Sequence, residues 1–369
     1  MENLELENNK VNKAKSYLMM MLALMLFIFA IDLLTVAMSH LNNEIAENIL
    51  QATRNPFISL FIGLLMTALI QSSSTVTASV VAVVASGNMA LEQAVPMVMG
   101  ANIGTTLTSS LVSLSYIMNK KEFKRAFSAG MLHDIFNICT VVILLPLEVY
   151  FGFLSKISVA IAHFFMPDES YSGPIVYNKV FTRPLSEWIS NTIDIPFLTM
   201  ILSIFLVFSA IKILSTSVYK AFVVNSFQDI NKLIFKNTYM AFIYGMFFTA
   251  AVQSSTVTTS LVVPLVAKKK VSVRKAFPFI IGANIGTTIT AAIAAIYKTE
   301  AAIALAIVHF LFNFIGALIF LPFPTLRNIP VLLAIYMGKR TVKSRILGFV
   351  YILLTFFVIP FLLIYFSND

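Results

Sequence analysis

The residues best equipped for chemistry occur twice. Gln71-Ser72-Ser73-Ser74-Thr75 precedes Gly100-Ala101-Asn102-Ile103-Gly104-Thr105-Thr106, and Gln253-Ser254-Ser255-Thr256 precedes Gly282-Ala283-Asn284-Ile285-Gly286-Thr287-Thr288. One offset of 182 residues (Gln71 to Gln253) aligns both motifs without a gap, along with Gly63 and Gly245, Thr67 and Thr249, Thr77 and Thr259, and Pro96 and Pro278. The chemistry is that of neutral groups. Hydroxyl, amide and main-chain carbonyl oxygens suit a hard monovalent cation. N–H groups at the start of a broken helix, helped by Ser and Thr hydroxyls, suit an anion. Charged residues are scarce in the apolar stretches: Lys212, Asp32, Asp134 and Glu148. A dianion without an arginine partner is poorly compensated in a low dielectric. Cations bound beside it supply the missing charge, so each binds better with the other, which is the physical basis of coupled transport.

These residues need a scaffold, and composition names its solvent. The chain of 369 residues is 58% hydrophobic and 12% charged, too little charge for a soluble domain of this length, so a lipid bilayer is the expected partner. Apolar stretches long enough to span it run Leu18–Met38, Ala126–Val149, Phe197–Tyr219, Ala301–Leu321 and Ile346–Phe366. The net charge of +9 does not read as nucleic-acid binding, because Lys and Arg sit in short clusters between apolar stretches, as in cytoplasmic loops. Cys139 is the only cysteine, so no intrachain disulfide forms. Residues 1–17 are polar and lack a cleavage pattern before the first span, which reads as a cytoplasmic segment followed by a retained helix. No Walker loop, zinc-ligand spacing or GxSxG elbow occurs, so no enzyme and no resident cofactor is expected, and transport is driven by an ion gradient.

Charge also orients the elements. Clusters at Lys120/Lys121/Lys124/Arg125, Lys268/Lys269/Lys270/Arg274/Lys275 and Lys339/Arg340/Lys343/Arg345 mark the inner side. The Pro- and Gly-bearing stretch 150–196 reads as an outer loop. Repeat 1 then covers 18–149 and repeat 2 covers 197–322, pointing in opposite directions, with 323–369 as a C-terminal segment holding a final membrane helix. The segments 56–86 and 239–267 each carry a polar motif at the centre and have both ends on one side. About 30 residues disposed in this way form a re-entrant helical hairpin with the turn at the motif. Ser and Thr suit that turn, since their hydroxyls satisfy backbone groups freed where a helix breaks. Two glycines around an asparagine predict an unwound stretch in each GANIGTT helix. The fold expected is all-α and polytopic, with two inverted-topology repeats. Pro322, Pro324 and Pro330 leave open another short crossing near the C-terminus.

His133 and His309 form a further pair, each four residues before an asparagine (Asn137 and Asn313), at an offset of 176 (His133 to His309). A helix-packing hydrogen bond is the expected role of both. Asp134 has no acidic counterpart, since Phe310 follows His309, and fits either a functional carboxylate or a bond near a helix end. Asn102 and Asn284 suit a helix-break cap as well as a ligand role. Asp32 reads as structural.

The duplicated QSSS and GANIGT motifs resemble those of the type II sodium-dependent phosphate cotransporter family. The resemblance extends to Ile31-Asp32-Leu33-Leu34, Asn55-Pro56, Val180-Phe181-Thr182-Arg183-Pro184, His133-Asp134-Ile135-Phe136-Asn137 and Leu144-Leu145-Pro146-Leu147-Glu148. It implies sodium-coupled uptake of inorganic phosphate through paired re-entrant hairpins. Phosphate would contact Gln71, Ser72, Ser73, Ser74, Thr75, Gln253, Ser254, Ser255 and Thr256. Sodium would be held by Gln71, Ser73, Asn102, Thr105, Thr106, Asp134, Gln253, Ser254, Asn284, Thr287 and Thr288. Asp134 falls where electrogenic members of the family carry aspartate, which implies three sodium ions per divalent phosphate. Thr256 departs from the family's final serine, and the paired cysteines of animal members are missing from the outer loop, so the chain resembles a compact bacterial version in the inner (plasma) membrane. The family places both termini inside, whereas the Lys339/Arg340/Lys343/Arg345 cluster runs helix Ile346–Phe366 from inside to outside and leaves Asp369 outside. Another oxyanion such as sulfate, or a passive anion channel, fits the same residues.

Overall fold

A computed structural model describes residues 2–41, 43–165, 182–222, 234–296 and 298–366. The described residues are helical, with no strand among them. In chain order the helices are α1 Glu2–Ser39, α2 Asn43–Ala52, α3 Pro56–Ile70, α4 Ser73–Ala85, α5 Leu91–Gly104, α6 Leu107–Leu114, α7 Lys120–Phe151 and α8 Phe153–Phe165, then α9 Arg183–Ile193, α10 Pro196–Phe222, α11 Thr238–Val252, α12 Ser255–Ala267, α13 Val273–Thr287, α14 Ile289–Ala295, α15 Glu300–Phe320, α16 Pro324–Lys343, α17 Arg345–Leu353 and α18 Ile359–Tyr365. A π turn, Leu354–Val358, joins the last two. Among the described residues six helical stretches are long and apolar enough to cross a membrane: Lys15–Ser39, Lys120–Phe151, Pro196–Val218, Val273–Ala295, Glu300–Phe320 and Arg345–Tyr365. The chain is a multi-pass, all-α membrane protein.

The first motif sits on a helix–turn–helix unit whose local causes are readable. Asn55 caps α3 by accepting from Phe57 N at 2.9 Å, and Pro56 opens the first turn. Gln71 ends α3 in the left-handed region, φ 57°, with its N–H bonded to Thr67 O. Ser72 then caps α4, accepting from Thr75 N at 3.2 Å. The second motif repeats each step. Asn237 caps α11, Gln253 turns at φ 55°, and Ser254 caps α12 by accepting from Val257 N at 3.3 Å. These units cannot cross a bilayer by themselves. The 15 residues of α3 rise about 22 Å, against a hydrocarbon core of about 30 Å.

The glycines do something other than unwind their helices, which corrects the reading made from sequence. Gly100 and Gly282 are helical, and the breaks fall later, at Thr105–Thr106 between α5 and α6 and at Thr288 between α13 and α14. The glycines let two helices touch. A Cβ on Gly100 would lie 1.8 Å from Leu60 O, and one on Gly63 would lie 2.0 Å from Met97 O. In the other half a Cβ on Gly282 would lie 2.0 Å from Phe242 O, and one on Gly245 would lie 2.1 Å from Phe279 O. So α3 packs backbone to backbone on α5, and α11 on α13. This small-residue packing substitutes for a hydrophobic driving force that lipid does not provide. At the first break the Thr105 and Thr106 hydroxyls share Ala101 O and Ile103 O with the N–H groups of the same residues, a back-bonding that weakens a helix locally.

Two buried hydrophobic clusters flank these units. One joins Ile31, Leu64, Val81, Val98 and Leu144 to Leu305 and Phe312. The other gathers Phe123, Phe127, Phe136, Phe277, Phe279 and Phe320, with Phe136 edge-on to Phe277 and Phe320. The expected outer loop over 150–196 is helical at both ends, and residues 166–181 lie outside the described residues. Leu154, Ser158 and Ala162 form the buried stripe of α8, which packs on α15. Glu148 initiates that helix, accepting from Leu154 N at 2.7 Å and from the Ser155 hydroxyl. The proline-bearing segment after Leu321 is α16, a 20-residue helix lying along α7 and not one of the six apolar spans. Asp32 is structural as expected: it is buried and binds Lys298 Nζ at 3.1 Å, with Arg183 Nη1 at 3.9 Å.

Candidate functional site

The two turns meet. Ser74 Oγ donates to the main-chain carbonyl of Gln253 at 3.1 Å, bringing together the starts of α4 and α12. The first N–H groups of each helix have no intrahelical acceptor and carry the positive end of the helix dipole. Ser73, Ser74, Thr75 and Ser255 are buried, Ser72, Gln253, Ser254 and Thr256 are half-buried, and Gln71 is exposed. A second bond ties the halves through α6 and α12: Ser109 and Thr259 share a hydrogen between their hydroxyls at 2.9 Å.

The threonines of the GANIGTT helices share one arrangement. Thr105, Thr287 and Thr288 each direct the hydroxyl proton onto a carbonyl of their own helix, Ala101 O, Ala283 O and Ile285 O, while the single proton of Thr106 is shared between Ile103 O at 2.8 Å and Asp134 Oδ1 at 3.0 Å. Spending the proton backward leaves the oxygen lone pairs for an incoming cation. All four residues are buried.

The asparagines form a buried network that crosses the repeats. Asn284 donates to Asn137 Oδ1 at 2.7 Å and accepts from the His133 ring. Asn137 in turn donates to the main-chain oxygen of Asn102 at 2.7 Å. The mirrored half is wired differently. Asn102 donates to its own Val98 O at 2.8 Å and accepts from Asn313 at 3.3 Å, while His309 has no side-chain partner among the described residues. The expectation of a packing bond holds for His133 and fails for His309, because the Asn102 amide has turned along its own helix.

Asp134 is fully buried and bonded through both oxygens: Thr106 Oγ1 donates to Oδ1 at 3.0 Å, and the Tyr351 hydroxyl donates to Oδ2. Sequence reasoning did not reach Tyr351. It is one aromatic residue among many in an apolar helix, and lies beyond the duplicated stretch. Nor did it reach the Ser109–Thr259 bond, although Thr259 stands in the aligned set; Ser109 aligns with Ala291, so the pairing has no duplicate to announce it.

The profile of the Na+/Pi-cotransporter family matches residues 26–165 and 204–358. The chain is 29% identical to sodium-dependent phosphate transport protein 2A of Rattus norvegicus, over 91% of this chain and 65% of that protein. It is 30% identical to protein 2A of Oryctolagus cuniculus, over 93% and 66%, and 27% identical to protein 2B of Homo sapiens, over 90% and 62%. The chain thus spans a little under two thirds of the length of these relatives. No solved structure matches it significantly.

Proposed function

The chain belongs to the Na+/Pi-cotransporter family, and on that premise we propose that it is a secondary active symporter carrying inorganic phosphate, as HPO4 2−, inward with sodium. The observation that carries this reading is the contact between Ser74 and Gln253. Two mirrored helix starts converge there, rich in hydroxyls and main-chain amides, as a tetrahedral oxyanion needs. Repeat 1 (18–149) and repeat 2 (197–322) insert in opposite orientations, and α3–α4 and α11–α12 are re-entrant hairpins; their short lengths and shared caps support this. Gln71 to Thr75 and Gln253 to Thr256 line the phosphate site. Sodium is held by Gln71, Ser73, Asn102, Thr105, Thr106, Asp134, Gln253, Ser254, Asn284, Thr287 and Thr288. Alternating access exposes the paired tips first to one side and then to the other. The setting is the plasma membrane of a bacterium.

Three sodium ions accompany each phosphate, moving one net positive charge inward. Such a charge gains about 2.3 kcal/mol per 100 mV. Asp134 supports this count, because its carboxylate is buried with no Lys or Arg paired to it among the described residues and calls for a mobile cation. The test is phosphate uptake into proteoliposomes under an inward sodium gradient. Uptake against a phosphate gradient is expected, lost when choline replaces sodium. Uptake indifferent to sodium rejects the reading, and stronger competition by sulfate than by phosphate reassigns the substrate. Asp134→Gly is expected to abolish phosphate-evoked current while leaving electroneutral uptake.

A further inference from the structure

Asp134 is held by two neutral donors from two different elements. Thr106, at the break between α5 and α6, donates to Oδ1 at 3.0 Å. Tyr351, on α17, donates to Oδ2. The cluster occurs once. The counterpart of Asp134 is Phe310, and the counterpart of Thr106 is Thr288, whose hydroxyl bonds only its own Ile285 O among the described residues. Tyr351 is supplied by the C-terminal helix, directly before the π turn Leu354–Val358. π turns concentrate at functional sites. The helix after the turn packs on α3, the first arm of the first polar unit.

A symporter releases its cargo on one side and returns empty. On the return a buried carboxylate has lost its cation, and an uncompensated charge in that position is costly. We propose that Tyr351 is a positioning residue that stands in for the cation at Asp134 when the carrier is empty. The inference rests on reading Asp134 as a sodium ligand. Both carboxylate oxygens meet a hydroxyl group, contacts that compensate the charge without a cation. An arriving sodium ion competes with the Tyr351 proton, and a departing one is replaced by it. Tyr351 therefore weakens sodium binding and permits the empty return.

Tyr351→Phe removes the donor and keeps the ring. Half-saturating sodium is expected to fall about tenfold, the factor corresponding to 1.4 kcal/mol. Net uptake, which needs the empty return, falls severalfold, while exchange of labelled phosphate with sodium and phosphate on both sides stays near the wild-type rate. A purely structural role would lower net uptake and exchange together. Tyr351→His, which keeps a donor, restores net uptake. An unchanged or higher half-saturating sodium concentration in Tyr351→Phe, or equal loss of uptake and exchange, overturns the proposal. Should Tyr351→Phe fail to insert, Tyr351→Met gives the same readouts, and the sodium-dependent rise in melting temperature in detergent reads the affinity without transport. Wild-type uptake independent of sodium would instead sink the sodium reading itself.

Discussion

Ser109 and Thr259 share a hydrogen bond between their hydroxyls at 2.9 Å, joining α6 of the first half to α12 of the second. Of the two helices, α12 begins at the second polar motif and α6 directly follows the first GANIGTT segment. A bond between the two halves must break if they move past each other.

Cysteines at these two positions test that motion. Ser109→Cys with Thr259→Cys, in a Cys139→Ala background, is expected to form a disulfide under mild oxidation, because the two hydroxyl oxygens already meet at 2.9 Å. Uptake should then fall to background and recover on reduction. A cross-linked protein that transports at the uncross-linked rate would show that α6 and α12 move as one body.

The glycine contacts predict a loss of folded protein rather than of affinity. Gly100→Ala places a methyl 1.8 Å from Leu60 O, and Gly282→Ala places one 2.0 Å from Phe242 O. The obstructing atoms are backbone, so the helices must separate, and the cost is expected to reach about 3 kcal/mol or more, the upper end for overpacking. Melting temperatures in detergent should fall for both. Gly87→Ala is the control: its Cβ meets nothing within 4 Å, and only φ +82° penalises it. Equal stability of all three variants would discount the close approach.

The unlike wiring of the mirrored histidines predicts unlike effects. His133→Leu leaves Asn284 Oδ1 without its buried donor, at an expected cost of about 1–3 kcal/mol. His309→Leu removes ring nitrogens that have no partner among the described residues, so stability is expected to hold or rise. Thermal unfolding of the two variants, side by side, decides the point. Similar losses would mean that both rings make equivalent bonds in solution.

Much of this was legible because the chain repeats itself. Aligning Gln71 with Gln253 locates both turns at the polar motifs, whereas the caps at Asn55 and Asn237, which obey the same offset, emerged only in the structure. What repeats most faithfully was also misjudged: a glycine in an apolar helix signals close approach as readily as it signals weakness, and sequence does not say which helix is near. Features held by one half only were harder. Tyr351 reaches Asp134 from beyond the duplication, Ser109 lacks a hydroxyl counterpart at Ala291, and the buried stripe of α8 is obscured by the prolines and glycine that follow it.

The ion cluster at Asp32 gives the last prediction, and a pH signature with it. Asp32 and Lys298 are both buried, and Arg183 approaches Asp32 at 3.9 Å. The cluster links α1 to the start of α9 and to the connection before α15. Burial pushes the Lys298 ammonium below its ordinary value, Asp32 raises it in part, and Arg183 lowers it. A folded-state value below the unfolded one means that the unfolded chain binds more protons in the window between them. Stability therefore rises with pH through that window, whose upper limit is near the ordinary lysine value of about 10.4. Asp32→Asn removes the partner that raises the Lys298 value, so the window extends toward neutral pH and the slope there steepens. The same variant leaves a buried charge poorly compensated, expected to cost about 3–5 kcal/mol. Adding Lys298→Met removes that charge and should restore most of the stability while flattening the alkaline gain. Melting temperatures across neutral to alkaline pH, for wild type, Asp32→Asn and the double variant, measure both effects. A single variant as stable as wild type with no steeper pH slope would mean that the pair contributes nothing to the fold.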